Sequence, residues 1–99
     1  MKSKLQQARK QIDKVDRAIA ELINKRAKLA VEVGKIKGIS GKAVYVPSRE
    51  KEVLKNVTSV KSVLNAEAVE AIYKEIIGAC RDLDELQTMV GQFLDFDEL

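Results

Sequence analysis

Apolar residues step through the first third of the chain by alternating threes and fours: Leu5, Ala8, Ile12, Val15, Ile19, Leu22, then Leu29, Val33 and Ile36. That spacing keeps them on one side of a helix with 3.6 residues per turn. From about Lys4 to Lys37 there is no proline, and the only glycine is Gly34, so the pattern predicts one unbroken helix. Roughly 34 residues at about 1.5 Å each give a rod near 50 Å long. A compact domain of about 100 residues has a radius of gyration near 13 Å, so the rod overshoots it. The apolar stripe nevertheless persists along nearly all of the rod. The rest of the chain is too short to cover the overhang, and a second copy is the simplest cover. An intertwined all-α dimer is therefore expected, with an ordinary parallel coiled coil as the plainer alternative.

The pattern breaks at Gly38–Val46, where two glycines and a serine predict a loop. Pro47 suits the first turn of a second helix, reaching about Val57 or Thr58, because its missing N–H costs nothing there. Val53, Leu54 and Val57 form the inward side of that helix. Val46 cannot cap it, which leaves Ser48 as the alternative cap. Thr58–Leu64 is a polar connection. Asn65 is a good N-cap for a third helix of about residues 66–90, carrying Val69, Ile72, Tyr73, Ile76, Ile77, Cys80, Leu83 and Leu86 and ending before Gly91. Asp84 and Gln87 share the face of Cys80. An acidic tail, residues 92–99, follows.

Composition narrows the function. The 99 residues are 45% apolar, 33% charged and 4% aromatic, which suits one small helical domain. A net charge of +3 with acidic residues mixed throughout argues against a nucleic-acid partner. No stretch is apolar enough to span a membrane and no secretory signal is present, so a cytoplasmic protein is expected. The single cysteine excludes an intramolecular disulfide. Histidine is absent, which removes imidazole bases, Ser-His nucleophiles and most zinc sites. No metal or cofactor is expected. Catalysis, if any, must rest on carboxylates, cations, amides or shape.

One conflict inside the long helix points to a site. The step after Leu22 lands on Arg26, a cation where the pattern calls for a hydrophobe. Lys37 lies about three turns further on, on nearly the same face. Cations on a face due for burial are costly unless something anionic meets them. Arg26 therefore reads either as half of an ion pair across the bundle or, with Lys37, as an anion site. Arg9 is also near this seam, but about 25 Å from Arg26 along the same rod, so it could share a small ligand with Arg26 only from another subunit. Glu50 opens the second helix and, on its own, reads as compensation of the helix dipole. Asp84 reads as a salt bridge to the first helix and Cys80 as a small buried hydrophobe.

These residues also carry a family resemblance. The run Q-I-D-K-V-D-R-A-I-A-E-L-I-N-K-R-A-K-L-A-V-E-V-G-K-I-K, with V-Y-V-P-S-R-E-K-E-V-L and I-Y-K-E-I-I-G-A-C-R after it, closely resembles the all-helical (type II) chorismate mutases. The likeness covers roughly residues 5–84, and its I-D-x-x-D, R-x-x-L-A, G-x-x-K and P-x-R-E elements are specific as a set. It implies one mutase domain of three helices, woven into a six-helix-bundle homodimer with two sites, each taking one arginine from the partner. The implied reaction is the Claisen rearrangement of chorismate to prephenate, in phenylalanine and tyrosine biosynthesis. The resemblance makes Arg9 the arginine donated across the dimer and Arg26 the one supplied in cis, both holding substrate carboxylates. Lys37 would bond the ether oxygen and one carboxylate. Val33 would line the wall, Glu50 would bind the substrate hydroxyl, and Arg49 would be a second-rank contact. Mutase domains of this kind are often fused to neighbours in the same pathway, so association with another such enzyme is implied too. The rival functions are an isochorismate-pyruvate lyase of the same fold and a non-catalytic helical dimer or regulatory domain cut from a larger enzyme.

Three positions depart from the family pattern. Val46 stands where an aspartate often precedes the proline, so only its backbone can help there. Cys80 replaces a usual serine, which weakens a hydrogen bond to a carboxylate. Asp84 replaces a glutamine that donates to the ether oxygen, and an ionised carboxylate has no proton to donate. Gln87, one turn on, is the substitute if the register differs. If Asp84 fills the glutamine position, it helps only when protonated. Activity is then expected to rise as pH falls from 8 towards 5, and Asp84→Gln should remove that rise. A flat pH–rate profile, unchanged in Asp84→Gln, would count against this assignment.

Overall fold

A reciprocal pair of hydrogen bonds starts the chain's first helix. The Gln6 N–H donates to Ser3 Oγ (3.1 Å) and the Ser3 N–H donates to Gln6 Oε1 (3.2 Å). This is a capping box, which satisfies two of the N–H groups that a helix start leaves unpaired. The computed structural model describes residues 3–40 and 46–91, with side-chain surroundings for 3–38 and 46–83. Among the described residues all regular structure is helical: α1 (Lys4–Ser40), α2 (Pro47–Thr58) and α3 (Ala66–Gly91). The acidic tail lies outside them.

Helix α1 runs 37 residues and passes the expected end at Lys37 by three. Gly38 therefore belongs to the helix and not to the loop that its glycine suggested. A single glycine costs a helix only about 1 kcal/mol, which is too little to stop a rod this long without a proline behind it. The expected loop is described only at its two edges, because residues 41–45 fall outside the described set.

Helix α2 begins at Pro47, with Val46 extended in front of it (φ −128°, ψ 98°) and no side-chain cap. The Val46 carbonyl accepts from the N–H groups of Arg49 (3.0 Å) and Glu50 (3.2 Å). Ser48 lies inside the first turn and is not the cap. The other end is better satisfied. The Thr58 hydroxyl donates to the Leu54 carbonyl (2.8 Å), the Ser59 hydroxyl to the Asn56 carbonyl (2.7 Å) and the Ser59 N–H to the Lys55 carbonyl (3.2 Å). These bonds occupy carbonyls that a helix end otherwise leaves to water. Asn65 then starts α3 by accepting from the Ala68 N–H at Oδ1 (2.8 Å).

Helix α3 packs against both α1 and α2, and the two most shielded apolar side chains among the described residues, Ile77 and Cys80, both belong to it. The face of α1 that receives it differs from the one the large hydrophobes suggested. Ile23, Ala27, Ala30, Val31 and Gly34 are half-buried or buried, a line of mostly small residues beside the main stripe. Small side chains let two helix axes approach closely, so α3 takes that line. Leu5, Ile12, Val15, Ile19, Leu22, Leu29, Val33 and Ile36 remain 47–65% exposed. Every residue from 3 to 22 is exposed, about 28 Å of rod that the rest of the described chain leaves bare. The molecule extends 57 × 33 × 14 Å with a radius of gyration of 17.6 Å, well above the roughly 13 Å of a compact chain this size.

The Asn65 cap gives a direct test of how α3 is anchored. Asn65→Ala should lower unfolding stability by about 1 kcal/mol, while Asn65→Asp should keep most of it, as read from chemical denaturation.

Candidate functional site

One cleft gathers residues from all three helices, and each helix offers them at its own repeat. From α1 come Arg26, Leu29, Ala30, Val33 and Lys37. Val46, with Arg49, Glu50 and Val53 of α2, forms a second wall, and Ile77, Cys80 and Arg81 of α3 form the third. Steps of three and four put each set on one face of its helix, so the cleft lies where three such faces meet. Its volume is about 290 Å³, at the small end of the range for sites that take compact organic ligands.

The floor is apolar and the charges sit around it. Leu29, Ala30, Val33, Val46, Val53, Ile77 and Cys80 supply the apolar surface, while among the described residues Arg26, Lys37, Arg49 and Arg81 supply four cations against the one carboxylate of Glu50. Arg26 is half-buried and forms no ion pair among the described residues. Lys37 is half-buried in the last turns of α1. Arg49 is 60% exposed and pairs with Glu52 along the outer surface of α2, so it belongs to the rim. Arg81 Nη1 donates to Glu50 Oε1 at 3.1 Å, joining α3 to α2 across the cleft. A mostly apolar pocket with a surplus of positive charge favours a small, multiply anionic ligand. Charge-assisted bonds inside such a pocket are stronger than the same contacts in open water.

Of the residues singled out in the sequence, Arg26, Val33, Lys37, Val46, Arg49, Glu50 and Cys80 line this cleft together. The conflict on α1 is resolved geometrically: Arg26 and Lys37 face the same cavity, with Leu29, Ala30 and Val33 between them. Arg9 is exposed on the bare half of α1 and does not reach the cleft of its own chain. The backbone of Asp84 lies in α3, but its side chain and that of Gln87 are outside the described set. Cys80 is 3% exposed, as expected for a small buried hydrophobe.

Arg81 was not anticipated, though the signal that revealed Arg26 applies to it as well. It stands four residues after Ile77 and one after Cys80, a cation within the apolar repeat of α3. The same test on the third helix, a charge at a position the repeat assigns to a hydrophobe, flags it together with Asp84.

Comparison with known proteins gives consistent matches. A family profile described as "Chorismate mutase type II" matches residues 8–85. The bifunctional chorismate mutase/prephenate dehydratase of Aquifex aeolicus (strain VF5) is 38% identical over 86 residues, covering 82% of this chain and 24% of that protein. The chain spans a quarter or less of the length of these curated relatives. Among solved structures, chorismate mutase (Form II) from Thermus thermophilus superposes with a TM-score of 0.83 at 34% identity, covering 86% of this chain and 98% of that one. Chorismate mutase from Helicobacter pylori in complex with prephenate superposes with a TM-score of 0.74 at 30% identity, covering 82% of this chain and 89% of that one.

Proposed function

The chain belongs to the chorismate mutase type II family, and we propose that it catalyses the rearrangement of chorismate to prephenate in a site completed by a second copy of itself. The observation that carries this reading is the convergence of Arg26, Lys37 and Glu50 on one apolar-floored cleft.

The reaction is unimolecular. The C–O bond of the enolpyruvyl ether breaks as a C–C bond forms at the ring, with no nucleophile and no obligatory proton transfer. A protein without histidine can therefore serve it. Two tasks remain: holding a flexible diacid in its compact conformer and meeting the negative charge that grows on the ether oxygen. Arg26 in cis and Arg9 from the partner would hold the two carboxylates. Lys37 would bond the ether oxygen and one carboxylate. Glu50 would accept from the ring hydroxyl, Arg49 would assist from the rim, and Val33 and the Val46 backbone would shape the wall. Cys80 would fill the carboxylate side with only a weak donor. Asp84 would face the ether oxygen and contribute when protonated.

The dimer is supported by surface that one chain leaves bare. A compact protein of 11.0 kDa exposes about 5,600 Å², whereas this chain exposes 8378 Å². The excess is of the order that one subunit buries in an obligate dimer. Most of the exposed large hydrophobes among the described residues lie on α1, with Arg9 among them; Val60, Val63, Leu64, Ile72 and Leu83 are exposed elsewhere. A second α1 laid along that stripe would cover it and bring an Arg9 towards the cleft it cannot reach in cis. The bifunctional relatives further support covalent fusion to, or association with, another enzyme of aromatic amino-acid synthesis, and the proposed setting is the cytoplasm.

Loss of chorismate absorbance with prephenate as the identified product tests the activity; pyruvate released from isochorismate would favour the lyase instead. Lys37→Ala should lower turnover by about 100- to 1000-fold, the usual effect of removing one preorganised donor, and near-normal turnover in that variant would place the chemistry elsewhere. The shared site has its own test in subunit exchange. Arg9→Ala and Arg26→Ala should each be nearly inactive alone. Mixed and allowed to exchange, they should recover about a quarter of wild-type activity, because half the dimers are mixed and each mixed dimer holds one intact site. No recovery on mixing, with exchange shown by mass spectrometry, argues for a site built within one chain.

A further inference from the structure

The Arg81–Glu50 pair has features that a simple surface ion pair lacks. It joins residues 31 apart in sequence and ties α2 to α3 across the cleft. Both side chains are largely shielded, at 35% and 26% exposure. A shielded charge-assisted bond contributes more than an exposed one. It also engages only one oxygen of the carboxylate. Glu50 Oε2 has no hydrogen-bond partner among the described residues, although the group lines the cavity.

That geometry has two consequences for a ligand. Glu50 sits in the first turn of α2, just behind an end with no side-chain cap, and its carboxylate would otherwise be free to rotate. The Arg81 guanidinium fixes one oxygen and so restricts where the other can point. It also places a positive charge beside the only carboxylate among the described residues of a cleft suited to anions, which reduces the repulsion Glu50 would exert on them.

We propose that Arg81 is a positioning residue, which holds the Glu50 carboxylate oriented so that Oε2 accepts the hydroxyl of the substrate. This rests on the reading of Glu50 as the hydroxyl acceptor of a chorismate-binding site. Arg81 acts through Glu50 and makes no contact with the reacting atoms.

The test is a double-mutant cycle on the full chain, run on chorismate and on an analogue lacking the ring hydroxyl. Arg81→Met should lower kcat/KM on chorismate by about tenfold, the size expected for losing a hydrogen bond to a charged group. In a Glu50→Gln background the same change should cost less than about twofold, because the effect passes through one carboxylate. On the hydroxyl-free analogue the single Arg81→Met penalty should vanish, and Arg81→Lys should restore part of the chorismate rate. Circular dichroism and thermal unfolding of each variant separate these effects from loss of fold. Additive losses in the double variant, or an equal penalty on the analogue, overturn the proposal and make Arg81 a direct ligand of the substrate carboxylates. Wild-type protein that leaves chorismate unchanged overturns it together with the reading of the site on which it rests.

Discussion

The feature on which the rest of this fold depends is a mismatch of lengths. Helix α1 spans 37 residues, whereas α2 and α3 span 12 and 26. The shorter helices cover only the C-terminal half of the rod. Helix α3 covers it along a line of small residues, Ala27, Ala30 and Gly34, where the axes can come close. The larger hydrophobes are displaced to a neighbouring line and remain exposed. Such a stripe supports the proposed second copy as its cover, since exposed apolar patches beyond a few hundred Å² rarely persist without a partner. The same mismatch locates the site. The cleft opens between the covered line and the bare one, lined on α1 by Ala30 from the first and by Leu29 and Val33 from the second.

Charge follows from that placement. Arg26 and Lys37 lie on the boundary of the two lines, half-buried in the described chain. A cation at such a position loses part of its hydration and must regain it from an anion. With Glu50 engaged by Arg81, cations outnumber carboxylates among the described residues of the cleft. A cavity of about 290 Å³ suits a compact ligand better than an extended one.

Much of this was legible from periodicity. Threes and fours of apolar residues gave three helices in order, and Asn65 and Pro47 marked two of the starts. The break at Arg26 pointed to the cavity wall. What periodicity could not supply was the choice between two neighbouring lines on α1. Hydrophobicity ranks the line of leucines and isoleucines first, yet close packing selects the line of alanines and glycine. That preference depends on how near another helix can come, and the shape of the partner surface is not written in the pattern. The end of α1 was misjudged for a related reason: Gly38 is a weak stop on an otherwise well-formed rod. The Ser3–Gln6 box was overlooked because the apolar repeat begins only at Leu5. On α3 the break in the apolar repeat is divided between Arg81 and Asp84, so the pattern alone does not single out Arg81.

The proposed chemistry and the bare stripe depend on each other. A unimolecular rearrangement gains little from reactive groups and much from walls that do not move, since its rate depends on holding one conformer and on dipoles fixed in advance. A lone chain in which Ile77 and Cys80 are the only well-shielded apolar side chains among the described residues has little core there with which to hold such walls. In the proposed dimer the bare line of α1 gains a partner, the rod is clamped along its length, and a cation arrives from the other chain at the open side of the cleft. Burial of the stripe and completion of the anion site are then one event. The residues that stabilise the pair are the neighbours, one helical turn away, of those that would bind the substrate. Rigidity that a core this small cannot supply would come instead from the second subunit.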